Sequence, residues 1–100
     1  MVIAVLDHVP HCYTADDGLV VAGILRREFS MKRCVALSFR GAHTIPSSFA
    51  NAAFVTLLDA FDVDFIKQHL RIVDSTAQIN SMIRDRLNGA GVQKKALVHA

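Results

Sequence analysis

Residues 34–54, CVALSFRGAHTIPSSFANAAF, contain the two patterns from which the fold is predicted. In the first part Val35, Leu37 and Phe39 alternate with smaller residues, which is the two-residue period of a β-strand, and an Arg-Gly pair then marks a turn. After Pro46 the apolar residues recur at the longer period of a helix. They are Ala50, Phe54, Leu57, Leu58 and Phe61. A strand, a tight loop and an amphipathic helix are therefore predicted in succession.

Strands and helices also alternate on either side of this segment. Residues 2–6 form a continuous apolar run rich in β-branched side chains, which predicts a strand buried on both faces, and residues 70–73 predict a third core strand. Residues 19–29 have helical apolar spacing after two aspartates. The run LVVAGIL would also suit a buried strand, but its length with the residues that follow and the preceding acids favour a helix.

The last helix is predicted to begin at a capping box made by Ser75 and Gln78. Its apolar residues are Ile79, Met82, Ile83 and Leu87. Gly89 is expected to end it, which leaves residues 89–100 as a tail or an edge segment. Three strands that alternate with three helices predict a single α/β domain over residues 1–100, best supported over 34–88. Its small βαβαβα sheet is largely parallel, with the helices packed on it.

Composition excludes several classes of protein. A chain of 100 residues with 52% hydrophobic residues and a net charge of +2 is typical of one compact domain, and its longest apolar run is too short to span a bilayer. The N-terminus lacks the basic residues and cleavage site of a signal peptide, so a cytoplasmic protein is expected. Cys12 and Cys34 are then expected to be reduced thiols, with Cys34 as a small core residue.

The search for an enzyme site finds no strong motif. The glycines form neither a dinucleotide-binding nor a phosphate-binding loop, and no serine lies in a GxSxG sequence. His8, His11 and Cys12 are the densest group of metal-ligand types, but no second pair accompanies them. A protein without catalytic activity, cofactor or metal is expected, and a small metal-binding protein or enzyme that uses these three residues is the alternative.

Basic residues are concentrated between Arg26 and Arg40, and Lys94 and Lys95 add a second group. Cations near a helix C-terminus complement the helix dipole, and no aromatic residues interleave with them as nucleic-acid surfaces often require. A solvated helix end is the preferred interpretation. A nucleic-acid-associated factor is the second alternative, and nucleic acid is an unlikely partner.

Three segments in a fixed order carry a resemblance to a known family. LSFRGA at 37–42, IPSSFANAAF at 45–54 and LRIVDSTAQINSMI at 70–83 resemble the STAS-like domain family, relatives of the sulphate-transporter and anti-sigma-factor-antagonist domains. Members have a strand ending in LDF-x-G-V and a helix opened by I-x-x-SFADELF. Ser38 stands where the family usually has an acid. The similarity covers residues 34–87 and implies the same α/β fold.

The resemblance also implies a function and a site. In the antagonist relatives an Asp-Ser-Ser sequence opens the corresponding helix, and a partner kinase phosphorylates its first serine; here a Pro-Ser-Ser sequence occupies that place, with proline replacing the acid. A bacterial or phage regulatory protein-interaction domain is implied, whose partner is a GHKL-type ATPase or a histidine-kinase-like protein. Self-association as a homodimer is also open. The expected partner-binding residues are Arg40, Gly41, His43, Pro46, Ser47, Ser48 and Asn51, with Ser47 or Ser48 as the phosphorylation site.

A purely structural role for the two serines is the competing interpretation. Proline is favoured in the first turn of a helix, and serine is a preferred residue for capping its first backbone N–H groups. On this interpretation the serines serve only to start the helix.

Overall fold

A computed structural model describes the backbone of residues 1–99 and the side chains of residues 1–89. The described chain contains three strands: β1 (Val2–Ala4), β2 (Val35–Ser38) and β3 (Leu70–Val73). They form one sheet in the order β1-β2-β3, and both pairs are parallel. Parallel neighbours require crossover connections, which the helices supply. The predicted α/β class, with a small parallel sheet and packed helices, is confirmed.

Within residues 1–99 four α-helices accompany the strands: α1 (Ala15–Ser30), α2 (Ser47–Ala53), α3 (Val63–His69) and α4 (Ala77–His99). Two short 3₁₀ helices, Val5–Asp7 and Val55–Asp59, lie after β1 and α2. The core cluster contains buried residues from the helices and from β2, and partly buried residues of β1 and β3 pack against it. Its largest fully buried side chains are phenylalanines. They are Phe29, Phe39, Phe49 and Phe54.

α1 begins earlier than its apolar pattern predicts because a polar residue caps it. Oγ1 of Thr14 accepts a hydrogen bond from the backbone N–H of Asp17 at 3.1 Å, which satisfies one of the free donors of the first turn. Asp16 and Asp17 lie within that turn, where the helix dipole favours negative charge. The helix predicted over residues 19–29 is therefore present, and it extends over Ala15–Ser30.

The prediction of one helix from Pro46 to Phe61 is wrong. The chain leaves helical geometry at Phe54, where φ is −121°, and continues as the 3₁₀ helix Val55–Asp59. Oδ1 of Asp62 then accepts from the N–H of Phe65 at 2.7 Å and opens α3, a helix that the sequence did not predict. The apolar period persists across the break because each piece still faces the core.

Two predictions about α4 are also wrong. Its capping residue is Thr76 rather than Ser75, since Oγ1 of Thr76 lies 3.3 Å from the N–H of Ile79. The helix passes through Gly89, which lacks the positive φ that would end it, and runs to His99. The expected tail is therefore helical up to His99; Ala100 lies outside the described residues. Neither α4 nor any other helix of residues 1–99 is long and apolar enough to cross a membrane.

The sheet is buried unevenly because it has only three strands in the described chain. On the central strand Val35 and Leu37 are buried, whereas Val2 on the edge strand β1 is 70% exposed. The prediction that the first strand is buried on both faces is therefore wrong. Cys12 and Cys34 are both free thiols, but Cys34 is exposed just before β2 rather than part of the core.

Close contact between α1 and α2 depends on Gly18. A Cβ at this position would lie 2.6 Å from the carbonyl oxygen of Phe49 and 2.8 Å from Cβ of Ala52. Such distances are shorter than real Cβ contacts allow, and the nearest atom belongs to backbone that has little freedom to move. A glycine facing small residues is therefore what sets the position of α2 on α1.

We expect Gly18→Ala to lower the free energy of unfolding by about 1–3 kcal/mol, because the added methyl forces α1 and α2 apart. Gly23→Ala is the matched control, since no described atom outside the neighbouring turns of α1 lies within 4 Å of its Cβ position. In the same helix it should raise stability by about 0.5–1 kcal/mol through backbone entropy. Urea denaturation of both variants measures the two effects, and equal responses would contradict this account of the α1–α2 contact.

Candidate functional site

The loops that follow β2 and β3 lie at the same edge of the sheet because the two strands are parallel. Ser38, 4% exposed at the end of β2, donates a hydrogen bond from Oγ to Oδ2 of Asp74 at 2.9 Å. The same Oγ accepts from the backbone N–H of Arg40 at 3.3 Å. The acid that the sequence of β2 lacks is thus supplied by the residue after β3.

A tight turn then reverses the chain after β2. The N–H of Ala42 donates to the carbonyl of Phe39 at 2.9 Å, and Gly41 has a φ of 91°, which L-residues rarely adopt. A Cβ at Gly41 would also come within 2.9 Å of Cδ1 of Leu6. Both the backbone angle and the close approach require glycine at this position.

Side chains from the start of α4 hold the backbone that leads into α2. Oγ1 of Thr76 donates to the carbonyl of His43 at 2.7 Å. The amide of Gln78 bonds both backbone groups of Ile45: Oε1 accepts from the N–H at 2.9 Å, and Nε2 donates to the carbonyl at 3.0 Å. We call these three hydrogen bonds the α4 clamp. They fix the loop that carries the predicted partner-binding residues.

The two serines at the start of α2 do not cap it. Pro46 is the N-cap residue, with extended φ and ψ, and no side chain accepts a hydrogen bond from the first turn. Ser47 and Ser48 are exposed, while Phe49 and Ala50 are buried. Because the buried pair must face the core, helical geometry directs both hydroxyls to solvent. The capping interpretation is therefore wrong, and neither hydroxyl forms a hydrogen bond within the described residues.

The remaining predicted residues lie on the same continuous segment. Arg40, Gly41 and His43 are exposed in the loop, and Pro46 is half-buried. Asn51, one turn into α2, borders an open groove of about 710 Å³. The groove is also lined by Ala15, Ala52, Val55, Thr56, Asp85 and Arg86. Residues 40–51 are called the docking surface below.

A small cavity of about 140 Å³ separates the loop after β1 from the loop after β2. Nδ1 of His11 lies 2.7 Å from Oδ2 of Asp17, and the imidazole stacks on Tyr13 with ring centroids 4.9 Å apart. Burial opposes ionisation of Asp17, but hydrogen bonding to Thr14 and the electrostatic attraction of the nearby imidazole outweigh it. The pKa of the Asp17 carboxyl is therefore below its usual value of 3.8.

Cys12 is buried beside this cavity. Burial, with a smaller contribution from the Asp17 carboxylate, raises the pKa of the Cys12 thiol to about 11. Among the side chains of residues 1–89 no group of three or more His, Cys, Asp or Glu is placed to hold a metal ion, so His8, His11 and Cys12 do not form such a group.

The basic residues between 26 and 40 do not all face solvent. Nη2 of Arg26 donates to the carbonyl of Thr56 at 2.6 Å, and Nη1 of Arg33 lies 3.5 Å from Oε2 of the buried Glu28. Arg27, Lys32, Arg33 and Arg40 are exposed, and Arg33 remains so beside Glu28. The side chains of Lys94 and Lys95 lie outside the described residues.

The residues of the clamp were not identified from the sequence as parts of this site. The sequence predicts Gln78 in a capping box, but its amide instead reaches Ile45, 33 residues away in the chain. Asp74 precedes the helix in the sequence DST, a run of residues that often bond to local backbone. The DST sequence therefore indicates that these side chains form hydrogen bonds, but it does not identify the residues to which they bond.

We expect Gln78→Ala to lower the free energy of unfolding by about 1–2 kcal/mol and to speed hydrogen exchange of the Ile45 amide, because the N–H and the carbonyl of Ile45 both lose their partner. Gln68→Ala, at an exposed position on α3, serves as the control. NMR-detected exchange measures the effect. An Ile45 amide that exchanges equally fast in both variants would show that the clamp does not hold the loop.

Asp17 should contribute pH-dependent stability. Because its folded pKa is lowered, its contribution is complete above the usual value of 3.8 and is lost as the pH falls through the folded pKa. We therefore expect Asp17→Asn to be less stable than the wild type at about pH 7 and to approach it at about pH 3. Asp16→Asn, in the same helical turn, is the control. A difference from the wild type that stays constant across denaturation curves at these pH values would refute this role.

Comparisons with known proteins agree with the fold. The family model for the STAS-like domain of unknown function (DUF4325) matches residues 20–80, which include most of α1, β2, α2, α3, β3 and the start of α4. The docking surface and the residues of the α4 clamp lie inside this match. No curated protein and no solved structure matches the chain.

Proposed function

The chain belongs to the STAS-like domain family, and from this membership we propose that it is a non-enzymatic regulatory domain that binds a protein partner through the docking surface. The proposed setting is the bacterial cytoplasm. The proposed partner is a GHKL-type ATPase or a histidine-kinase-like protein, as the resemblance to antagonist domains implies. Ser47 is the proposed phosphorylation site, with Ser48 as the alternative.

The observation that carries the proposal is the state of the two serines. Ser47 and Ser48 are exposed and take no part in capping α2, and their hydroxyls form no hydrogen bond with the side chains or backbone described in residues 1–89. The adjacent loop is nevertheless held by Thr76 and Gln78. Exposed polar groups on a fixed backbone lose little conformational entropy when a partner binds them.

Phosphorylation at Ser47 would act on this surface through charge. A phosphate adds between about −1.5 and −2 charges at neutral pH. Within the docking surface, residues 40–51, the sequence has one formal cation, Arg40, and no carboxylate. A partner surface shaped for a neutral hydroxyl would have to bury the new charge, so phosphorylation is expected to weaken binding.

The two alternatives have less support from the arrangement of residues. Among the side chains of residues 1–89, His8, His11 and Cys12 are not placed together to hold a metal ion. Arg26 bonds to a backbone carbonyl, which reduces the basic surface available to a nucleic acid, while Arg33 stays exposed beside Glu28. Within residues 1–89 no specific contact favours either of these functions.

Affinity purification of the tagged protein tests the proposal. We expect the wild type to retain a stoichiometric partner from a bacterial extract and Ser47→Glu to lose at least about 90% of it, since a tenfold loss corresponds to about 1.4 kcal/mol. Ser47→Ala should retain the partner, because the small side chain adds no charge. Mass spectrometry of the purified chain then determines whether Ser47 carries a phosphate.

The matched control is Gln68→Glu, which adds the same charge at an exposed position of α3. It should bind the partner as the wild type does. Recovery of no stoichiometric protein, or equal loss in Ser47→Glu and Gln68→Glu, would reject the docking surface as the binding site.

A further inference from the structure

The outer face of α1 carries apolar side chains that the rest of the described structure leaves uncovered. Leu19 and Val20 are 52% and 46% exposed, and Ile24 beside them is half-buried. Gly23 is exposed, and no described atom outside the neighbouring turns of α1 lies within 4 Å of its Cβ position. The opposite face of the same helix is buried in the core through Val21, Ala22, Leu25 and Phe29. α1 thus has two apolar faces, and the described chain covers one.

A charge of opposite sign lies at each end of this outer face. Asp16 precedes the apolar group by about one helical turn and Arg27 follows it by about one turn. Both are exposed, and neither forms a hydrogen bond or ion pair with residues 1–89. The spacing of 16, 20, 23 and 27 places all four positions on one side of the helix. The face therefore runs from acid through apolar to base.

We propose that this face is a homodimer interface in which α1 packs antiparallel against α1 of a second copy. A two-fold axis midway between residues 21 and 22 sets Asp16 level with the partner's Arg27, each about 8 Å from the axis along the helix. It also sets Val20 level with the partner's Gly23, where the missing side chain leaves room. Two-fold symmetry makes both contacts occur twice.

The charge pattern is what selects a second copy as the occupant. A face with an acid at one end and a base at the other is complementary to itself in the antiparallel orientation, whereas the parallel orientation would set like charges together. The interface contains no residue of the docking surface. The proposal therefore does not rest on the proposed function, and partner binding and dimer formation can fail independently.

The outer face of α1 is small for a stable protein–protein interface. α1 has 16 residues and is about 24 Å long, so one face of it buries less than the roughly 1,200–2,000 Å² typical of stable interfaces. We therefore expect a weak, reversible dimer, to be sought at protein concentrations between about 10 µM and 1 mM.

Sedimentation velocity of the full chain between about 10 µM and 1 mM tests the dimer. The sedimentation coefficient of the wild type should rise with concentration. Asp16→Arg alone and Arg27→Asp alone should each weaken association at least about tenfold, because like charges then face each other at both ends. The double variant should restore it, since every pair is again opposite in sign. Asp85→Arg, an exposed reversal on α4, is the control and should associate like the wild type.

Val20→Glu provides a second test in which the charged ends are unchanged, and it should keep the protein monomeric. Circular dichroism melts establish that each variant is folded. If a single variant lost association only because it misfolded, adding the second substitution would not restore association. A wild type that stays monomeric up to about 1 mM, or a double variant no more associated than the single ones, would overturn the proposal.

Discussion

The contact between Gly18 and the backbone of α2 is the constraint on which the arrangement of helices depends. α1 lies between β1 and β2, and α2 begins the connection from β2 to β3, so their mutual position sets how both crossovers cover the sheet. A side chain at residue 18 would push against the carbonyl oxygen of Phe49, which lies in the same turn as the two serines. The glycine therefore positions the start of α2 as well as the core beneath it.

A second set of constraints acts on the loop before α2 and comes from the far end of the chain. Thr76 and Gln78 at the start of α4 hold the backbone at His43 and Ile45, and Ser38 bonds to Asp74 across the strand ends. The docking surface is consequently fixed by polar contacts on one side and by the packed face of α2 on the other. Thr76, Gln78 and the buried face of α2 hold this segment in place, so its exposed side chains are available to contact another molecule.

The sequence predicts most of the fold because its apolar periods are strong. The strand at Val35–Ser38, the amphipathic character of α2 and the parallel order of strands all follow from local patterns. The break at Phe54 does not, because the period of buried residues continues across the 3₁₀ helix, and α3 depends on a cap at Asp62 that resembles any loop aspartate. The extension of α4 past Gly89 was missed because glycine ends a helix only when its φ is positive.

The same distinction applies to the site. The position and exposure of Ser47 and Ser48 follow from the burial of Phe49 and Ala50, but their freedom from capping depends on Pro46 taking the N-cap place. The role of Gln78 was not predictable, since its bond partner is 33 residues away in sequence. Local pattern indicates which residues face outward, and only tertiary contact shows what holds them.

Mapping the bound surface at residue level tests the central claim most directly. In a titration of ¹⁵N-labelled protein with its purified partner, amide chemical shifts should change most within residues 40–51 and at Thr76 and Gln78, which hold that segment. Shift changes centred on α3 or on the outer face of α1, with residues 40–51 unaffected, would show that the partner binds elsewhere and would contradict the account.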